Sequence, residues 1–167
     1  MAEPDKIYLV GFMGAGKSTL ARALAARLGW HVEDVDDRIE GREGRTVADI
    51  FRQDGEAYFR SVERSVLMAL IPVRHAVVAA GGGTFVDPES RAAMLADGTV
   101  IWVDAPLDVL VARIPTDGRR PLAASRADLE RLYLAREAAY QLAHLRLDAG
   151  RAPVDELVER VLDALGW

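Results

Sequence analysis

Short apolar, partly β-branched runs alternate along this chain with longer stretches in which apolar residues return every third or fourth position. The short runs Ile7–Val10, His31–Asp34, Val77–Ala80, Thr99–Val103 and Leu145–Asp148 read as strands. Between them, Ser18–Leu28 sets Leu20, Leu24 and Leu28 on one face, the mark of an amphipathic helix. Asp36–Glu40, Val47–Phe51, Ala57–Leu70, Pro88–Leu95, Leu107–Val111, Asp128–Leu142 and Val154–Leu165 also read as helical. Thr46 followed by Asp49 resembles a capping box, and Pro153 stands where a first-turn proline would. Strands that alternate with helices require crossover connections, and near-continuous apolar strands require cover on both faces. The expected architecture is α/β: three layers, α/β/α, around a parallel sheet of about five strands.

Arg113–Ser125 breaks this rhythm. It carries Pro115, Gly118 and Pro121 with Arg113, Arg119 and Arg120, and it shows little apolar periodicity. A long loop inside a compact domain commonly has a function, so a mobile lid is expected here, with a solvated connection as the plain alternative. Neither a repeat nor a Pro/Gly/Ser linker divides the chain, so residues 1–167 are expected to form one domain.

Composition narrows the chemistry. The 167 residues include no cysteine, which removes disulfides, thiolate zinc sites and cysteine nucleophiles, and fits a reducing, cytoplasmic setting. The longest uncharged run, His75–Val86, is far too short to span a membrane, and the charged start Met1–Lys6 suits no signal peptide. A net charge of −5 argues against nucleic acid or anionic lipid as partner. Anions must therefore be handled by local basic groups. His31, His75 and His144 have no ligand spacing, and Trp30, Trp102 and Trp167 are expected to pack rather than to stack on a ligand. A monomer is expected at this size.

Gly11-Phe12-Met13-Gly14-Ala15-Gly16-Lys17-Ser18 fits G-x-x-x-x-G-K-[ST], and it stands between a strand and a helix, as the mechanism requires. Gly11, Gly14 and Gly16 free the loop to turn its N–H groups inward, and the helix start adds partial positive charge. Lys17 is expected on the β- and γ-phosphates of a nucleoside triphosphate, with the Ser18 hydroxyl on Mg²⁺. Asp34 and Asp36 follow at the carboxyl end of the second strand, where open parallel sheets bind ligands. One carboxylate can support hydrated Mg²⁺ and the other can accept a hydrogen bond from an acceptor hydroxyl; a solvated acidic run through Asp37 is the alternative. Arg60 and Glu63 share a helical face, either as a surface ion pair or as a carboxylate binder held in place. Gly81-Gly82-Gly83 directly follows the third strand and puts bare backbone at the ligand edge.

Together with Arg119-Arg120-Pro121-Leu122, these separated motifs resemble those of the shikimate kinase family, from Ile7 to about Asp148. That resemblance implies a P-loop kinase fold of the nucleoside monophosphate kinase type, with a helical substrate-binding region over about 34–63 and a lid over about 113–125. It implies transfer of the γ-phosphoryl of ATP to the 3-hydroxyl of shikimate, toward chorismate. ATP would be held by Gly14, Ala15, Gly16, Lys17, Ser18 and Thr19, with Arg113, Arg120 and Arg151 around it. Ser18 and Asp34 would hold Mg²⁺, and Lys17, Asp36 and Arg120 would be catalytic. Shikimate would meet Asp36, Arg60, Gly81, Gly82, Gly83 and Arg136. Arg151 could equally be a surface arginine. Where the family commonly has Arg-x-Pro-Leu-Tyr, this chain has Arg136-Glu137-Ala138-Ala139-Tyr140, and Ala123 stands where a second leucine is common. Two other readings share the phosphate loop: another small-molecule kinase such as a gluconate kinase, and a nucleotide-binding regulatory relative without turnover.

Overall fold

All four strand pairings are parallel, and they order the sheet β2-β3-β1-β4-β5. The computed structural model describes residues 4–114 and 125–167. Along the chain the elements are β1 (Lys6–Val10), α1 (Lys17–Leu28), β2 (His31–Asp34), α2 (Val35–Glu43), α3 (Val47–Leu70) and β3 (Ala76–Ala79). There follow α4 (Pro88–Asp97), β4 (Thr99–Asp104), α5 (Leu107–Arg113), α6 (Arg126–Tyr140), β5 (Leu145–Asp148) and α7 (Val154–Leu165). Every residue of β1 and β3 is buried, because helices cover both faces of the sheet centre: α1 packs with α7, and α3 with α4. One continuous apolar core runs through the sheet, with Ile7, Leu9, Leu20, Leu24, Val77 and Val100 almost without exposure. Each such side chain contributes about 1.5–3 kcal/mol relative to exposure.

Helix ends follow local chemistry. Thr46 Oγ1 accepts from the Asp49 N–H at 3.1 Å, so the Thr46 cap forms as expected. Ser125 caps α6 in the same way through the Asp128 N–H at 3.1 Å. Pro153 lies one place earlier than a first-turn proline and is the N-cap of α7. The two helices expected over 47–51 and 57–70 abut as α3, and the break between them is Gly55, at φ 83° and ψ 175°.

At the amino ends of the strands, fully buried Lys6 sends its ammonium to the carbonyls of Leu70 (2.5 Å) and Ile71 (3.1 Å) and to Asp97 Oδ2 at 2.8 Å. Tyr8 and Arg74 donate to the two oxygens of Asp97, each at 2.6 Å. Burial pushes the Asp97 carboxyl up, but the hydrogen bonds from Lys6, Tyr8 and Arg74 outweigh it and hold it below the usual range. Burial lowers the Lys6 ammonium despite Asp97. Nearby, Trp30 packs edge-on to His75 and Trp167, and Trp102 is buried, so the tryptophans pack as expected. Among the described residues, no helix is long and apolar enough to cross a membrane.

Candidate active site

Strand polarity delivers the candidate residues to one edge. The loop after β1, the end of β2 and the turn after β3 meet at the carboxyl ends of the strands, around a cleft of about 300 Å³. Its walls include Met13, Lys17, Ser18, Asp34, Asp36 and Gly82. Gly14 and Gly16 have φ of 81° and 91°, backbone that side chains other than glycine's rarely adopt, and Gly16 is the N-cap of α1. The first-turn N–H groups of α1 thus face the cleft with no side chain capping them. Lys17 curls over this loop, and its ammonium donates to the carbonyls of Gly11 at 2.6 Å and Phe12 at 3.0 Å.

Ser18 and Asp34 are brought together: the hydroxyl donates to Asp34 Oδ2 at 2.7 Å. The other Asp34 oxygen caps α2 by accepting from the Asp37 N–H at 3.2 Å. This pair of hard oxygens beside a phosphate loop suits Mg²⁺, which takes one or two protein ligands and fills its octahedron with water and substrate phosphate oxygens. Among the described residues, no cluster of three or more His, Asp or Glu could cage a metal unaided.

On α3, Glu63 is buried at 1% exposure and its carboxylate is shared. Oε1 accepts from Arg60 Nη1 and Oε2 from the buried Thr84 hydroxyl, both at 2.9 Å. Arg60 also reaches Glu56 at 3.4 Å and lies 5.2 Å from the Phe59 ring. It is therefore a braced guanidinium rather than a surface ion pair. The sequence pointed to Glu63 as its brace, but Thr84 went unseen, because its partner is remote along the chain.

The glycine turn threads between the charged groups. A Cβ on Gly81 would come within 3.1 Å of Asp36 Oδ1, on Gly82 within 2.7 Å of Arg136 Nη1, and on Gly83 within 2.5 Å of Arg60 Nη1 and Nη2. Each glycine thus abuts a different candidate substrate group: a methyl would press on Asp36 at Gly81 and displace the guanidinium of Arg136 at Gly82 or of Arg60 at Gly83. Arg136 is itself buried, 6.0 Å from the Phe12 ring, so the phosphate loop and α6 meet here.

Beyond the phosphate loop, a second cavity of about 250 Å³ is lined by Gly16, Thr19, Arg113, Ala149, Gly150 and Val154, among others. Arg113 spans from the Gly14 carbonyl at 3.4 Å to that of Gly150 at 3.3 Å. Arg151 is not among the lining residues; its side chain is 80% exposed and lies 4.0 Å from Asp108. Arg120 and the expected lid, apart from Arg113, Ile114 and Ser125, lie outside the described residues.

A phosphate loop at the carboxyl ends of a parallel sheet, with the braced Arg60 and the buried Arg136 against the glycine turn beside it, marks a P-loop kinase that acts on a small anionic acceptor. The family model for shikimate kinase matches residues 13–166. The chain belongs to the shikimate kinase family, and it is an ATP-dependent phosphotransferase acting on shikimate. It is 40% identical over 160 residues to the shikimate kinase of Persephonella marina, covering 93% of this chain and 98% of that one. It is 43% identical over 162 residues to that of Chromobacterium violaceum, covering 95% and 88%. Among solved structures it resembles the shikimate kinase of Acinetobacter baumannii in complex with shikimate, with TM-score 0.94 and 33% identity, over 98% of this chain and 93% of that one. A gluconokinase from Sinorhizobium meliloti, at 18% identity and TM-score 0.59 over 99% and 94% of the two chains, shares the fold alone.

Proposed function

We propose that this chain phosphorylates the 3-hydroxyl of shikimate with the residues gathered at this cleft. Gly14, Ala15, Gly16, Lys17, Ser18 and Thr19 hold the triphosphate, and the cavity beside Arg113 takes the adenine, with Arg151 at its rim. Ser18 and Asp34 hold Mg²⁺, which supplies charge neutralisation on the phosphates when bound. Asp36 accepts the proton of the reacting hydroxyl. The hydroxyl oxygen then bonds to the γ-phosphorus as the bond to the bridging oxygen of ADP breaks. Lys17 and Arg120 offset the charge on the transferring group. Arg60 and Arg136 grip the shikimate carboxylate from two sides, as planar forks matched to it. The same reading takes residues 1–167 as one domain, working as a cytoplasmic monomer without nucleic acid or membrane partners.

The observation that carries this assignment is the glycine turn, which abuts Asp36, Arg136 and Arg60 in succession. An acceptor hydroxyl and a carboxylate can thereby be held against one short stretch of bare backbone. The test is ADP release with shikimate, its methyl ester, gluconate or no acceptor. Release should require the free acid of shikimate, and Arg60→Ala and Arg136→Ala should each raise its KM by about ten- to a hundredfold. Equal phosphorylation of the methyl ester would sink the carboxylate clamp.

A further inference from the structure

Two phenols on α6 flank Arg136, Tyr133 three residues before it and Tyr140 four after it, so all three share one helical face. Tyr140 is fully buried, and its hydroxyl donates to the carbonyl of Gly82, the glycine that abuts Arg136. That bond holds turn and arginine side by side. Its ring rests on Trp102 of β4, 5.9 Å between centroids. Burial pushes the Tyr140 phenol up to about 12, against the pull of the Arg136 guanidinium, so it stays a donor through neutral pH.

On the other side, the Tyr133 hydroxyl donates to Asp104 Oδ1 at 3.0 Å, on the last residue of β4. Asp104 is itself anchored by Arg146, whose Nη2 reaches Oδ2 at 2.7 Å. The Tyr133 ring meets Phe12 edge-on at 5.5 Å, and the same Phe12 ring faces Arg136. Arg136 takes part in none of the carboxylate ion pairs formed among the described residues, although Arg60 takes part in two. Among the described residues, its guanidinium is thus surrounded by the Phe12 ring, the Tyr140 hydroxyl and the bare backbone of Gly82.

We propose that Tyr133 and Tyr140 are positioning residues for the acceptor: through Asp104 and Gly82 they seat α6 so that Arg136 meets the substrate carboxylate squarely. This rests on Arg136 being one arm of the carboxylate clamp. Neither phenol takes part in phosphoryl transfer, so their loss falls on acceptor binding rather than on turnover.

The experiment measures kcat, both KM values and the thermal midpoint for Tyr133→Phe, Tyr140→Phe, Arg136→Ala and the two double variants. Each phenylalanine variant should raise the shikimate KM about three- to thirtyfold, with kcat and the ATP KM within about twofold of the unmodified enzyme. In the Arg136→Ala background neither substitution should raise it further, because the group they position is gone. Asp104→Asn sets an amide NH2 against the Arg146 donors when its oxygen still accepts from Tyr133, so it should loosen the same anchor and raise the shikimate KM like Tyr133→Phe. Parallel rises in both KM values, or an effect undiminished without Arg136, would overturn the inference as general loosening. If Tyr140→Phe fails to fold, Tyr133→Phe decides alone. An unchanged shikimate KM in Arg136→Ala would instead remove the clamp, and the positioning role with it.

Discussion

Ser18 and Asp34 are joined by a hydrogen bond of 2.7 Å that ties the first turn of α1 to the start of α2. Asp34 divides its labour between its oxygens. Oδ1 caps α2, while Oδ2 faces Ser18 and the cleft. Structure and chemistry can therefore be separated at one side chain. Asp34→Asn retains an oxygen for the cap but loses the charge, so it should leave the thermal midpoint nearly unchanged. Its Mg²⁺ requirement, titrated at saturating ATP and shikimate, should rise about ten- to a hundredfold. Asp34→Ala should in addition lose about 1 kcal/mol of stability with the cap.

Lys17 donates to two loop carbonyls at the base of the cleft, where the phosphates are expected. Lys17→Met should lower kcat by about a hundred- to a thousandfold, since its charge is aimed where charge shifts during transfer. The far-ultraviolet circular dichroism should be native. Undiminished turnover with a native spectrum would show that the triphosphate binds elsewhere.

Thr84 holds the second oxygen of Glu63, whose first oxygen braces Arg60. Thr84→Val keeps the shape and removes the donor, leaving a buried carboxylate oxygen unpartnered at a cost of about 1–3 kcal/mol. Stability should fall by that amount in urea denaturation. The shikimate KM should rise several-fold while the ATP KM holds.

The Asp97 carboxyl sits below its usual range in the folded chain, held there by Lys6, Tyr8 and Arg74. In the unfolded chain it titrates near its ordinary value of about 3.9. Above that pH both states are ionised and the full stabilisation is present. As pH falls from there toward the folded value, the unfolded chain takes up the proton first and stability is lost. Asp97→Asn should remove this share of the acid sensitivity, flattening the stability profile below about pH 4 in denaturant titrations. At neutral pH it should be less stable by about 3–5 kcal/mol, because the buried Lys6 ammonium loses its counter-ion.

β1, β3 and β4 were legible because each is a short apolar run, whereas β2 and β5 carry charged residues at half their positions; the phosphate loop was legible because its spacing, preceding strand and following helix agree. All five strands lie within a residue of their expected bounds. The interruption between the helical segments 47–51 and 57–70 was legible, but not that Gly55 joins them, since only packing shows that they abut. Arg60 and Glu63 were readable as a pair by helical spacing; Thr84, Tyr133 and Asp104 were not. Their partners lie on other elements, and the strand order that brings those elements together leaves no trace in local periodicity. Arg136 came only from resemblance. In sequence it is one arginine among several on a polar helix, and its burial against Phe12 is a product of the tertiary fold.

The bare turn after β3 also shapes how this pocket can change over evolution. Enzymes commonly shift substrate by growing a side chain into a cavity and shrinking the compound that fits. Here a single methyl at any of the three glycines would meet a charged group before it narrowed the space. The first step toward a smaller acceptor would therefore shift the groups that recognise the existing one, displacing a guanidinium at Gly82 or Gly83 and pressing on Asp36 at Gly81. Such a pocket couples its width to its charged groups, and a new specificity would come more readily from another part of the lining, such as Met13, whose flexible side chain can be remodelled.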